Sequence, residues 1–102
     1  CWLRPRSRGR IELASASAGD APRIFAGYLT DADGADLRGM LECARLSRSI
    51  LLQPAFAPFR AGPVIPARDD LDDAALLDFI RRKAESVYHP VGTCRMGTDA
   101  QS

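Results

Sequence analysis

The sequence predicts an α+β fold in which an antiparallel sheet segment precedes two amphipathic helices. Three observations lead to this prediction. Apolar and polar residues alternate near the N-terminus, two later stretches carry apolar residues at helical spacing, and both helical stretches open on acidic residues and close on basic ones. The chain of 102 residues is 46% hydrophobic and 26% charged, which is typical of globular domains. Disordered, collagen-like and coiled-coil proteins are therefore excluded.

The predicted sheet segment consists of two short stretches near the N-terminus. Arg10-Ile11-Glu12-Leu13 alternates in polarity with the period of a half-buried strand. Residues 15–19 are small and polar, which predicts a turn. Residues 22–28 form a second extended stretch, and Pro22 confines it to a strand start or an edge.

The first helix is predicted to begin after Thr30 and to stop at Pro54. Thr30 and Asp33 have the appearance of a capping box, and Asp31, Asp33 and Asp36 suit a helix N-terminus. Cationic side chains near the C-terminal end also favour a helix there. The predicted apolar face comprises Leu37, Met40, Leu41, Ala44 and Leu51.

A proline-rich connection and a second helix follow. Residues 54–68 predict a loop that Phe56 and Phe59 hold against the body. The second helix is predicted to run up to Pro90, which biases the preceding residue away from the α region. Its acidic start is Asp69, Asp70, Asp72 and Asp73, its basic end is Arg81, Arg82 and Lys83, and its apolar stripe is Leu77, Ile80, Ala84 and Val87.

The segment 86–97 differs from everything before it. It has no amphipathic period, and it contains two glycines, one proline and the only histidine of the chain, His89. Imidazole is the side chain that ordinarily titrates near neutral pH, although a lone histidine is more often an ordinary surface or core residue. Gly92 and Gly97 permit unusual backbone dihedrals or a close approach to a ligand. Irregular segments of this kind often carry functional residues, so the candidate site is placed here.

The residues of this segment resemble those of a known family. The run Tyr88-His89-Pro90-Val91-Gly92-Thr93-Cys94-Arg95-Met96-Gly97 is similar to the C-terminal active-site motif of glucose–methanol–choline (GMC) oxidoreductases. Upstream, residues 4–13 resemble the family's strand that opens the second half of its substrate domain, and later segments follow the family's order. The resemblance covers nearly the whole chain. The run that begins at His89 is its specific part, whereas the helices alone would not identify the family.

The resemblance implies a part of a flavin-dependent alcohol oxidoreductase, folded as an incomplete GMC substrate domain. It implies that His89 is the general base toward the hydroxyl of a small alcohol, or stabilises the alkoxide, while hydride passes to FAD. Val87 and Tyr88 would line the substrate pocket. The residues implied to contact the cofactor are Pro90, Val91, Gly92 and Thr93.

Two features of the family are missing from this sequence. No GxGxxG fingerprint follows a strand, and the second active-site residue, a His or Asn, is expected beyond Ser102. We therefore expect residues 1–102 to be a fragment of the C-terminal substrate domain that ends just after the active-site motif. The flavin-binding domain is expected to be a separate, missing portion and a partner of this chain, and the isolated chain is expected to be inactive and without FAD.

The alternative function is that of a small non-catalytic binding or structural module. Cys94 follows His89 by five residues, but two ligands cannot fill a tetrahedral zinc site, so no metal is expected. Cys43 lies beside the apolar face of the first helix and is expected to pack there as a small apolar side chain.

Nucleic-acid and membrane partners are not expected. Arg4, Arg6, Arg8 and Arg10 alternate and are the best nucleic-acid feature of the chain, but the net charge is +1 and interleaved aromatic residues are lacking. No apolar run approaches the roughly 18–20 residues that span a bilayer. Three widely spaced cysteines favour a reducing compartment, so a cytoplasmic location is expected.

Overall fold

The computed structural model describes residues 2–62, 64, 72–100 and 102. The elements in chain order are β1 (Arg10–Glu12), β2 (Arg23–Phe25), α1 (Ala35–Leu51), a 3₁₀ helix (Pro54–Phe59) and α2 (Asp73–Lys83). The prediction of an antiparallel sheet segment followed by two helices is therefore confirmed. In this described part of the chain, no helix has the length and apolar character needed to cross a membrane.

The two strands form a short antiparallel hairpin. Its register places Arg10 opposite Phe25 and Ile11 opposite Ile24. The Arg10 guanidinium lies 4.2 Å from the centroid of the Phe25 ring and also pairs with the Glu12 carboxylate. A two-stranded hairpin is marginally stable by itself, and the contact between Arg10 and Phe25 stabilises this register across the strands, whereas the pair between Arg10 and Glu12 lies within β1.

The start of α1 differs from the predicted capping box at Thr30 and Asp33. The chain first makes a turn in which the Gly34 N–H donates to the Asp31 carbonyl oxygen at 3.0 Å, and Gly34 has a φ of 63°. The helix therefore begins only at Ala35, whose N–H donates to the Asp31 carboxylate at 2.5 Å. A carboxylate here pairs a free amide and lies at the favourable end of the helix dipole.

The core lies between α1 and α2. Leu41, Leu76 and Ile80 are buried, and the apolar residues packed around them are Leu29, Leu37, Met40, Ala44, Leu77 and Phe79. Most of the predicted apolar faces are thus confirmed. Leu51 is an exception, because it lies 44% exposed at the end of α1. Leu76 belongs to the core although the predicted stripe of the second helix omitted it.

The start of α2 is capped by a carboxylate. The Asp72 side chain accepts the Ala75 N–H at 2.7 Å, which pairs one of the free amides of the first turn. This agrees with the predicted acidic start. Asp69 and Asp70, the other two residues of the predicted acidic start, lie outside the described residues.

The end of α2 comes earlier than predicted. The helix stops at Lys83, Ala84 takes an extended conformation, and Val87 lies outside the helix with 75% of its surface exposed. Pro90 is therefore not what ends it. The Ser86 hydroxyl instead accepts a backbone N–H two residues further on, and such a local hydrogen bond competes with helical pairing.

The predicted loop after α1 also needs correction. Residues Pro54–Phe59 form a 3₁₀ helix, because a proline at the first position has a suitable φ and lacks an N–H that would be unpaired there. Phe59 does not hold this segment, since it is 81% exposed, whereas Phe56 is 40% exposed and only partly covered. Residues 63 and 65–68 of the predicted loop lie outside the described part.

Candidate functional site

The body that carries the candidate site is held together at its N-terminal end by Asp36. This residue is 1% exposed, and its carboxylate accepts the indole N–H of Trp2 at 2.8 Å. It also accepts the backbone N–H groups of Arg6 and Ser7, each at 2.8 Å. Asp36 thereby fixes the N-terminal segment against the first turn of α1. Its position in the sequence predicts only a favourable interaction with the helix dipole.

The charge of Asp36 is stabilised by the same contacts. Burial by itself would raise the pKa of the Asp36 carboxyl. The N–H donors from Arg6, Ser7 and Trp2 outweigh burial, so the pKa of Asp36 lies well below its usual range. The carboxylate is therefore ionised throughout the neutral range, and its hydrogen bonds to the N-terminal segment persist there.

Ser7 and Trp2 complete this contact. The Ser7 hydroxyl accepts the backbone N–H groups of Thr30 and Asp31 at 3.0 and 3.1 Å. The Trp2 ring lies so close to α1 that a Cβ atom at Gly39 would stand 2.4 Å from it. Only glycine fits at that helix position without displacing the ring.

The predicted site residues all lie on one segment that follows α2, and its described residues form no helix or strand. His89 is exposed, as are the predicted substrate-pocket residues Val87 (75%) and Tyr88 (80%). Val91, one of the predicted cofactor contacts, is 94% exposed. An apolar side chain exposed to this extent leaves a surface that another molecule or chain segment can cover.

The backbone of this segment is shaped by local contacts. The Ser86 hydroxyl accepts the Tyr88 N–H at 3.0 Å, and Tyr88 has a φ of 62°. Gly92 has a φ of 107°, and no atom lies within 4 Å of the place where a Cβ would stand. The backbone N–H groups of Gly92 and Thr93 have no partner among the described residues.

These features fit the cofactor that the resemblance implies. An open face at Gly92 allows a flat ring or a phosphate to approach the backbone closely. The N–H groups of Gly92 and Thr93, which have no partner within the described part of the chain, are donors for an acceptor-rich group, and Val91 offers apolar surface beside them. Pro90 completes this run and has no N–H of its own.

An apolar groove of about 240 Å³ lies near the base of the segment. It is formed between the helices and does not include His89. Its lining residues are Met40, Ala44, Phe79, Ile80, Lys83 and Ala84. This groove continues the core between the two helices, so it belongs to the packing of the body and not to the candidate site.

The other side chains singled out from the sequence have ordinary surroundings. No three His, Cys, Asp or Glu side chains converge on one point among the described residues. Cys94 is exposed and Cys43 is half-buried on α1. Arg6 pairs with Asp33 at 2.6 Å, and Arg8 donates to backbone carbonyls of its own segment. These arginines therefore serve contacts within the protein.

Comparison with known proteins identifies the family. The family model of GMC oxidoreductases matches residues 5–102. The chain belongs to the GMC oxidoreductase family. The matched residues include the complete run from Tyr88 to Gly97, so the resemblance seen in the sequence is confirmed, and the chain forms part of the family's C-terminal domain.

Individual relatives of this GMC chain agree with that assignment. It is 40% identical over 102 residues to the alcohol dehydrogenase (acceptor) of Pseudomonas putida, with 100% of the chain and 18% of the relative covered. It is 41% identical over 97 residues to the oxygen-dependent choline dehydrogenase of Vibrio vulnificus, with 94% and 17% covered. Against the choline oxidase of Arthrobacter globiformis, identity is 41% over 92 residues, with 90% and 17% covered. The chain thus spans less than a fifth of the length of these relatives.

Proposed function

We propose that this GMC chain carries the catalytic segment of a flavin-dependent alcohol oxidoreductase, and that His89 accepts the hydroxyl proton of a small alcohol. The observation that carries this proposal is the position of His89. It is an exposed imidazole within the family's motif, on a segment whose backbone is shaped locally. Relatives named as alcohol and choline dehydrogenases support alcohols as the substrate class.

The step of the reaction that we assign to this chain is the removal of the hydroxyl proton from the alcohol. Neutral imidazole is a good acceptor near pH 7, and general bases of this kind accelerate reactions by about 10²–10⁴-fold. An alkoxide loses hydride from its carbon more readily than an alcohol does. FAD, when bound, supplies the acceptor for that hydride. His89 would hold the proton at a ring nitrogen while the carbon–hydrogen bond breaks.

The residues before His89 are proposed to contact the substrate, and the residues after it are proposed to contact the cofactor. Val87 and Tyr88 precede it and are proposed to line the substrate pocket with apolar and aromatic surface. The residues proposed to hold the cofactor follow it and are Pro90, Val91, Gly92 and Thr93. The open face of Gly92 and the unpaired N–H groups of Gly92 and Thr93 support this division.

The flavin-binding portion is proposed to lie in the rest of a longer protein. The chain spans 17–18% of the relatives described above. We propose that residues 1–102 belong to the substrate domain of such an enzyme, with the flavin-binding portion as partner. The isolated chain would then neither hold FAD nor oxidise an alcohol.

The experiment uses the full-length enzyme with choline and 1-butanol as alcohol probes. His89→Ala and His89→Gln are expected to lower kcat by about 10²–10⁴-fold, since the proton acceptor is removed. Glu85→Gln is the matched control, because Glu85 is an exposed charged residue immediately before that segment. Alcohol oxidation at the wild-type rate in His89→Ala would contradict the proposal and favour a non-catalytic role for this module.

A further inference from the structure

We propose that the segment of the longer protein that precedes this chain packs along a second apolar face of α1. The inference rests on one part of the proposed function, namely that the chain belongs to a longer enzyme. The first apolar face of α1 carries Leu37, Leu41 and Ala44 and packs against α2. The second face, called the outer face below, comprises Gly39, Cys43, Leu46 and Ile50.

The outer face follows from the helical repeat. Its members are spaced four, three and four residues apart, so at about 100° per residue they form one stripe along α1. This stripe lies nearly opposite the face that packs against α2. A helix that carries apolar residues on more than one side is typically buried on more than one side. The outer face of α1 therefore calls for a partner of its own.

Only the N-terminal part of the outer face is covered among the described residues. The Trp2 ring lies over Gly39, and Cys43, one turn further along, is half-buried. Beyond it, Leu46 and Ile50 are 62% and 47% exposed. Two large aliphatic side chains one helical turn apart are thus available for burial, which would stabilise the complete protein.

The course of the N-terminal segment indicates what covers the rest of the outer face. The Ser7 hydroxyl accepts the Asp31 N–H, and the Ser7 N–H donates to the Asp36 carboxylate. Trp2 then reaches Gly39. Followed from Ser7 back to Trp2, the segment therefore runs from the start of α1 toward its C-terminal end. A continuation of this course before Trp2 reaches the open part of the outer face.

The longer protein supplies a segment for that position. The chain matches the family's C-terminal domain and spans 17–18% of its relatives, so most of the proposed enzyme precedes it. From Gly39 to Ile50, α1 rises by about 16 Å, which about five residues of extended chain cover. Residues four apart on a helix are about 6 Å apart, close to the roughly 6.6 Å between alternate residues of an extended chain. The expected partner is therefore an extended segment with apolar side chains at alternate positions.

A photocross-link in the full-length enzyme tests this placement. A diazirine analogue of leucine, close to leucine in shape, replaces Leu46, and mass spectrometry identifies the peptide it joins after illumination. The cross-link is expected within about six residues before Trp2. The same analogue in place of Leu41 is the matched control and is expected to join α2, against which Leu41 packs. A cross-link from position 46 to another part of the enzyme or to a second copy, or none while the control reacts, would refute the placement.

Thiol labelling of the native full-length enzyme gives a second measurement. Leu46→Cys is expected to react with N-ethylmaleimide at least about tenfold more slowly than Ser49→Cys, because a covered thiol reacts only after local opening. Ser49 is exposed on α1 and lies off the outer face, so it is the control. Each thiol is followed on its own peptide, since Cys43 is also present. Equal rates at the two positions would show an open outer face and refute the placement.

Neither measurement depends on catalysis, so the two proposals can fail separately. If position 46 cross-links elsewhere while His89→Ala lowers kcat as expected, only the placement along the outer face fails. If His89→Ala oxidises alcohols at the wild-type rate, the proposed role of His89 fails, and the cross-link from position 46 still decides the placement.

Discussion

At the scale of single residues, Asp36 is the buried carboxylate that joins the N-terminal segment to α1. Its carboxylate binds donors from residues that lie about 30 positions earlier in the sequence. Its role follows from the three-dimensional path of the N-terminal segment, which no local pattern encodes. The sequence could place Asp36 in the first turn of a helix, but it could not show that Trp2, Arg6 and Ser7 meet there.

The charge on Asp36 makes stability depend on pH in one direction. Its pKa is lower in the folded chain than in the unfolded chain, where about 3.9 is usual. Its stabilising contribution is therefore complete above that unfolded value and is lost as the pH falls through the folded value. Urea unfolding between pH 7 and pH 2 is expected to show this loss in the wild type and a weaker pH dependence in Asp36→Asn. Equal pH dependence of the two proteins would contradict it.

Gly39 tests the contact between α1 and the N-terminal segment. Gly39→Ala is expected to lower the free energy of unfolding by about 1–3 kcal/mol, because the new methyl group overlaps the Trp2 ring. Since Trp2 is the only tryptophan of the 102-residue chain, the fluorescence of this chain should also report a more exposed indole. Gly62→Ala is the control, as no atom lies within 4 Å of its Cβ position. Unchanged stability and fluorescence in Gly39→Ala would show that the ring does not lie there.

At the scale of elements, the helices and most of their buried faces were predictable because apolar spacing reports directly on burial. Leu37, Leu41 and Ile80 illustrate this. The ends of the helices were less predictable. The start of α1 depends on a turn with a left-handed Gly34, and α2 ends where Ala84 becomes extended after its N–H donates to the Ile80 carbonyl oxygen. Such ends are decided by single hydrogen bonds that several sequence patterns can accommodate.

Asp31 tests the corrected start of α1. Asp31→Ala is expected to cost about 0.5–2 kcal/mol, the usual range for a lost helix cap, because the Ala35 N–H loses its partner. Asp33→Ala removes only the exposed pair with Arg6 and is expected to cost about 0–1 kcal/mol. Urea unfolding of the two variants measures the difference. A larger loss in Asp33→Ala would instead favour a cap at Thr30 and Asp33.

At the scale of the whole molecule, several large apolar side chains of the described chain are exposed. Val87, Tyr88, Val91 and Met96 are each at least 75% exposed on the segment that carries His89. The family was predictable, because the run from Tyr88 to Gly97 is similar to the active-site motif of GMC oxidoreductases. The roles of the site residues stay a prediction, since the surfaces that would face these side chains are not part of the described residues.

This exposure leads to a prediction about the isolated chain. The purified 102-residue chain is expected to bind no FAD, because the segment 90–93 supplies only a small part of a dinucleotide site. Titration of FAD with the chain, followed by flavin fluorescence and by absorbance after gel filtration, measures this. Co-elution of FAD with the chain at a stoichiometric ratio would contradict the prediction.

The central claim is that His89 accepts the proton of the alcohol, and single-turnover reduction of the flavin tests it most directly. With choline or 1-butanol under anaerobic conditions, His89→Gln is expected to reduce the flavin more slowly than wild type by about 10²–10⁴-fold, because the variant lacks the proton acceptor. A His89→Gln enzyme that reduces the flavin at the wild-type rate would contradict the claim.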